Sequence, residues 1–292
     1  MEERQKKSGD RFDGYWLRDD LPSLNQIMAY LYPNRADNEA YIQQTVDLRP
    51  IDAYLAKKNE GLEKDKYNYF HVIMAAMVKC FVLRPRMNRF ISGNRIYQRN
   101  HISVAFVVKK KFADSSEEGL AYKHYGASDT IDTLHSSILE EIYQCRREDV
   151  KDNSTVFMDK LIRLPHWLLK IIMNILSALD RKGKVPYDLI KADPNYASIF
   201  LTNLGSIGLQ SGYHHLSNWG TCSFFGVIGQ KRIAPEWHED GSYTVRPVIN
   251  LGLTIDERIA DGFYYSGTVR LLRTILENPE ILDQPFDTPV EY

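Results

Sequence analysis

Cysteine is scarce in this chain. Its 292 residues hold three, Cys80, Cys145 and Cys222. None stands at C-x-x-C spacing, which excludes a disulfide framework and a zinc site built on paired thiolates. Cys80 and Cys222 lie in apolar runs and are expected to be buried thiols of a reduced, cytoplasmic protein. A dominant charge is missing too. Thirty-seven Lys and Arg against 38 Asp and Glu leave a net charge of −1, so no global field draws the chain to nucleic acid or to an anionic membrane. The most apolar stretch, residues 158–179, is broken by Arg163, Pro165, Lys170 and Asn174 and is short and polar for a spanning helix. It is expected to be buried or to face another subunit, with a membrane-surface or lid role as the alternative. The opening M-E-E-R-Q-K-K-S-G-D has no apolar segment of a secretory signal, and residues 1–10 are expected to form a disordered arm. There is no metal-ligating constellation, P-loop or dinucleotide fingerprint; Gly205-Ser206-Ile207-Gly208 is a turn and too little for a phosphate cradle. No repeat, low-complexity segment or linker divides residues 11–292, which are expected to be one domain.

What is present is a regular alternation of elements. Residues 40–48 and 101–108 read as strands, the second rich in β-branched residues. Residues 70–83 are apolar almost all round, the mark of a buried helix; His71 in its first turn reads as a satisfied core or capping residue. Residues 129–148 form an amphipathic helix with Ile131, Leu134, Ile138 and Ile142 on one face. Residues 196–204 and 221–229 read as further strands.

The stretch with most information runs from Val245 to Leu276. Val245, Pro247, Ile249, Leu251, Leu253 and Ile255 alternate with a period of two, which predicts a strand with one buried face. After Gly262 the spacing of Val269, Leu272, Ile275 and Leu276 becomes helical, and Asn278-Pro279 ends the helix. Residues 256–262, D-E-R-I-A-D-G, are therefore a strand-to-helix corner. This corner resembles the D-H-R-x-x-D-G motif that ends the catalytic domain of 2-oxo acid dehydrogenase acyltransferases, whose core chloramphenicol acetyltransferases share. Two further stretches are similar to that family: Thr202-Asn203-Leu204-Gly205 with Gly208, like its [ST]-N-[LI]-G-x-x-G strand end, and Pro85-Arg86-Met87-Asn88, like its P-x-[LM]-N helix end. The three span most of the chain, and neither a lipoyl domain nor an Ala/Pro-rich linker accompanies them.

The resemblance implies an α/β fold of the chloramphenicol acetyltransferase type, a two-layer sandwich with a mixed sheet flanked by helices. It implies homotrimers whose active site lies between two chains. It also implies chemistry in which a base deprotonates the thiol of coenzyme A or dihydrolipoamide, and the thiolate attacks an acyl thioester. Acyl-CoA is then the expected co-substrate, with no metal. Carried over by position, Thr202 takes the oxyanion role, its alternative being a strand-end cap. Asn203 and Gly205 shape the turn. Arg258 and Gly262 belong to the corner. Asp261 supports the active-site loop through an arginine, or simply caps the helix that follows. The departure is Glu257, which stands where the family has its histidine base. An ordinary imidazole has a pKa of about 6.5, a carboxylate about 4.3 and a thiol about 8.5, so a Glu base starts roughly 2 units worse than His. Burial can close that gap. Glu257 is thus either a buried working base or a structural residue in a dead site. His214-His215 imitates a histidine motif of condensation-type relatives, but lies before a strand and not at the corner; its reach into the site is the alternative source of an imidazole. Two functions follow: an acyltransferase acting on a thioester, or a catalytically inactive oligomeric binding or structural module.

Overall fold

A computed structural model describes residues 7–18, 20–109, 118–146, 161–191 and 193–292. The main sheet has the strand order β2 (Glu39–Asp47), β10 (Tyr243–Asp256), β8 (Phe224–Ile228), β7 (Ile199–Asn203), β5 (Ile102–Lys109) and β6 (Glu118–Tyr125), and β9 (Arg232–Trp237) pairs with the first half of β10. Only β5–β7 and β7–β8 are parallel; the other pairs are antiparallel, so the sheet is mixed. A smaller antiparallel sheet orders β1 (Gly14–Trp16), β4 (Arg95–Arg99) and β3 (Arg89–Ser92). The predicted strands and helices recur with ends shifted by a few residues, the usual fraying of assigned boundaries.

Four helices cover one face of the main sheet: α2 (Arg49–Lys58), α3 (Tyr69–Leu83), α4 (Ile131–Arg146) and α7 (Gly262–Glu277). Helix α3 is the centre of that layer. Residues Val72–Val78 are buried all round it, which is why its sequence has so little polar face. Its one interior cation, Lys79, is fully buried and donates to the carbonyls of Pro285 and Phe286 at 2.9 and 3.4 Å, fastening the C-terminal segment across the helix. At its start Asn68 and His71 form a capping box. The Asn68 side chain accepts from Phe70 N at 3.0 Å, and His71 Nδ1 accepts from Asn68 N at 3.1 Å. His71 is therefore the capping residue expected from the sequence. Burial, aided by neighbouring His135, lowers its imidazole to about 3.

The opposite face of the sheet is covered by the chain between β7 and β8. Leu216 packs on Phe225 and Val227, with Phe200 and Leu204 at the edge of the cluster. This closeness explains Gly252: a Cβ there would lie 1.9 Å from Gly212 O. The period-two reading of residues 245–255 is corrected at both ends. From Ile249 to Asp256 the strand is covered on both faces, with only Asn250 half-exposed, while Val245 near its start is exposed. There β9 and β10 leave the sheet as a ribbon. Its inner side is held by ions, with Arg246 Nη1 3.1 Å from Asp47 Oδ2 and 3.4 Å from Glu236 Oε1.

Helix α5 (His166–Arg181) is not buried within its own domain, since in the single chain only Asp180 is buried. That carboxylate anchors the helix end, accepting from Tyr196 Oη at 2.7 Å and from Gly220 N at 3.3 Å. Trp167, Ile171 and Ile175 are exposed. The helix is amphipathic, but one domain supplies no surface to bury its apolar side; residues 158–160 of the predicted stretch lie outside the described residues. No helix among the described residues is long and apolar enough to cross a membrane. Of the N-terminal arm, residues 1–6 lie outside the described residues; Asp10 accepts from Trp16 N at 2.9 Å.

Candidate active site

The end of β7 carries the first motif. Ile199 and Leu201 point to the buried helical layer, and Phe200 and Thr202, alternating with them, point to the other side. After Asn203 the chain turns through a 3-10 helix at Leu204–Ile207, and Ser206 Oγ donates to Asn203 O at 2.7 Å. Gly205 sits so close to the end of β8 that a Cβ would lie 2.5 Å from Gly229 O. The glycine of the T-N-L-G turn thus lets two strand ends approach. The half-buried Thr202 hydroxyl has no hydrogen-bond partner among the described residues. Thr202 lines a cavity of about 570 Å³ whose walls include Phe70, Phe106, Val108 and Ile142, with Lys66 and Lys231 also lining it. Asn203 and Gly205 line it too.

The corner after β10 is built around a buried carboxylate. Asp256, with no exposure, accepts from Arg258 Nε at 2.8 Å and Nη2 at 2.7 Å, and Arg35 Nε lies 3.7 Å away. Arg258 also donates to Tyr32 O at 2.6 Å. Its guanidinium is thus engaged inside its own chain and only 5% exposed, so it orders the corner and presents nothing to a ligand. Asp261 is the N-cap of α7 and accepts from Tyr264 N at 2.8 Å. It is also 3.9 Å from Arg86 Nη1, with both side chains more than half exposed; capping and the arginine contact coexist. Gly262 opens the helix with open space on the side where a methyl would project. Glu257 is exposed, and its backbone N–H donates to Asn38 O at 2.9 Å. The burial asked of a carboxylate base is absent from the single chain.

One chain does not bring Thr202 and Glu257 together. Thr202 is level with Val227, and Val227 with Gly252. Glu257 lies five residues beyond Gly252, about 16 Å along the strand direction at roughly 3.3 Å per residue. Between them, on the sheet face, runs the segment with the double histidine. It leaves the turn with Leu209 N donating to Leu204 O at 3.0 Å, and reaches the corner region where Leu216 N donates to the Glu39 carboxylate. His214 stacks on Phe225 at 4.2 Å between centroids and an angle of 9°, and both histidines are exposed.

A further cluster was not legible in the sequence. Tyr69 Oη donates to Asp52, and Lys231 Nζ lies 3.2 Å from Asp52 Oδ2 and 3.1 Å from Tyr69 Oη. Tyr69 and Lys231 both line the cavity beside Thr202. Burial, together with the hydrogen bond to Asp52, raises the Tyr69 phenol, so it remains a neutral donor. Three distant segments contribute to this cluster, and none of them carries a motif.

The geometry defines a class. Among solved structures, the chain is similar to a chloramphenicol acetyltransferase, with 13% identity over 90% of this chain and 99% of the other and a TM-score of 0.57. It is also similar to a probable dihydrolipoamide acetyltransferase from Listeria monocytogenes (16% identity, 88% and 93% covered, TM-score 0.55). A third match is a truncated catalytic core of the 2-oxoacid dehydrogenase multienzyme complex from Thermoplasma acidophilum (11% identity, 89% and 97% covered, TM-score 0.56). The fold is therefore that of the chloramphenicol acetyltransferase-like acyltransferases. More particularly, residues 169–282, which include both motifs, match the family of 2-oxoacid dehydrogenases acyltransferase (catalytic domain). No curated protein matches the chain in sequence.

Proposed function

We propose that this protein transfers an acyl group between thiols, with acyl-CoA or a similar thioester as donor, at a site assembled from two chains of a homotrimer. The observation that carries the reading is the position of Thr202, which lines the 570 Å³ cavity at the T-N-L-G turn and whose hydroxyl has no hydrogen-bond partner among the described residues. A hydroxyl so placed suits the oxyanion of a tetrahedral intermediate, and removing such a donor costs about 100-fold or more in rate. The cavity's apolar wall suits an acyl or pantetheine chain, and Lys66 and Lys231 supply cations for phosphates. The distance between Thr202 and Glu257 favours a shared site. So does the ribbon of β9 and β10, on which Ile233, Trp237, Tyr243 and Val245 are all exposed on one face, a patch that a second copy would cover.

The rival reading, a binding or structural module without turnover, is favoured by one observation: Glu257 is exposed and replaces the family's base. Calorimetric titration with CoA and acetyl-CoA, followed by an acyl-transfer assay, separates the two. Binding with turnover supports the acyltransferase, binding without turnover the module, and neither removes the thioester from the account.

A further inference from the structure

We infer that α5 is the face by which this protein docks on an anionic lipid surface, lying flat at the level of the headgroups; the inference is independent of the thioester reading above. The helix carries two apolar sides. Leu168, Ile172 and Leu179 are half-buried, and Leu179 packs with Val185, Ile190 and Tyr196, which seats the helix on its own domain. A helix that only covers its domain needs that one stripe. Here Trp167, Ile171, Ile175 and Ala178 follow one another at steps of three and four residues and form a second stripe. All four are exposed, and Trp167, Ile171 and Ile175 keep 65%, 48% and 55% of their surface in solvent. Large apolar side chains gathered on one exposed stripe mark an interaction surface, unlike single ones scattered over a domain.

Charge decides what covers the stripe. Residues 161–184 hold Arg163, Lys170, Arg181, Lys182 and Lys184, all exposed and none in an ion pair among the described residues. Their one acid, Asp180, is buried, lies 3.8 Å from Arg11 Nη2 and accepts from Tyr196 Oη at 2.7 Å, so it offers nothing outward. The whole chain carries a net charge of −1, so this concentration of cations is local. Lys170 flanks the stripe, and the other cations lie at its two ends, where long stems let charged heads reach phosphates while the apolar side chains meet acyl chains. Trp167, with an apolar body and an N–H donor, suits the boundary between the two. The 16 residues of α5 extend about 24 Å at 1.5 Å per residue, short of the roughly 30 Å hydrocarbon core, so the helix lies along the surface. A second copy is poorer cover. Pairing the stripe with itself would gather the cations of both helices around one patch, with no exposed acid on either to offset them.

The stripe is also presented on a fixed helix. Arg11 Nη1 donates to Asp180 O at 2.6 Å, and Gly220 N donates to the Asp180 carboxylate at 3.3 Å. Past the helix end, Lys184 N donates to Leu179 O at 2.9 Å and closes the last turn. The helix therefore does not have to fold on the lipid, and little ordering cost opposes docking.

The test is co-sedimentation of the full chain with vesicles of phosphatidylglycerol and phosphatidylcholine in equal parts, beside vesicles of phosphatidylcholine alone. Wild type is expected to sediment with the anionic vesicles, to leave them as salt rises, and to bind the neutral vesicles far less. Lys170→Gln, Lys182→Gln and Lys184→Gln together are expected to lower partitioning about 100-fold, at about fivefold per cation. Ile171→Ser with Ile175→Ser is expected to lower it about 10-fold or more. These side chains are exposed, so both variants are expected to unfold at the temperature of wild type. Brominated phosphatidylcholine in the anionic vesicles adds a reading on the unaltered surface, and is expected to quench wild-type fluorescence more than that of Trp167→Phe. No binding to anionic vesicles, equal binding to both kinds, binding untouched by the paired serine substitutions, or equal quenching in wild type and Trp167→Phe overturns the inference. So does a paired serine variant that sediments without lipid as a smaller species than wild type, since a second copy then covers the stripe.

Discussion

At the scale of single residues, His71 contributes one pH response of the fold. Its imidazole is lowered from 6.5 to about 3 by burial, so the folded chain holds it neutral where the unfolded chain takes up a proton. The unfolded state therefore binds more protons below pH 6.5, and stability falls as pH drops from there towards 3. By pH 4 this amounts to roughly 3 kcal/mol at about 1.4 kcal/mol per unit. Glutamine is also an accepting residue for a capping box, so His71→Gln keeps the cap and removes the titration. Denaturant unfolding from pH 7 to pH 4 is expected to show a steeper loss in wild type than in His71→Gln, and parallel curves would refute the assignment. The capping reading of His71 was available from its position in the first turn of an apolar helix. The stacking of His214 on Phe225 was not, because the two rings meet only after the loop folds back over the sheet.

At the scale of elements, the double-histidine segment and β10 are fitted to each other through Gly252. A methyl there would meet Gly212 O at 1.9 Å, a backbone atom that can yield only if the segment lifts. Gly252→Ala is expected to cost about 1–3 kcal/mol and to raise amide exchange across residues 209–216. Gly262→Ala, with open space around the added methyl, is expected to stay within about 0.5 kcal/mol of wild type. Unchanged exchange in Gly252→Ala would mean that the segment is not seated by the sheet. The strands, the buried helix α3 and the strand-to-helix corner were legible because each follows a simple period. The exposure of α5 and of the β9–β10 ribbon was not. Apolar periodicity says that a face must be covered but not by which chain, and here the covering surface is absent from the single domain.

At the scale of the whole molecule, the uncovered ribbon points to assembly. The chain is expected to sediment as a trimer at micromolar concentration, and Trp237→Asp combined with Val245→Asp is expected to shift it towards monomer. A wild-type monomer would remove the shared-site arrangement. The family resemblance was legible in three short motifs, and residues 169–282 match the acyltransferase catalytic-domain family. The Tyr69–Asp52–Lys231 cluster was not legible, since its members meet only in three dimensions. The account turns on Thr202 as the group that stabilises the oxyanion of a thioester reaction. The most direct measurement is the rate of acetyl transfer from acetyl-CoA to a thiol acceptor by wild type beside Thr202→Val, at matched fold and oligomeric state. The account predicts measurable transfer by wild type and a fall of about 100-fold or more in Thr202→Val; equal rates in the two proteins would contradict it.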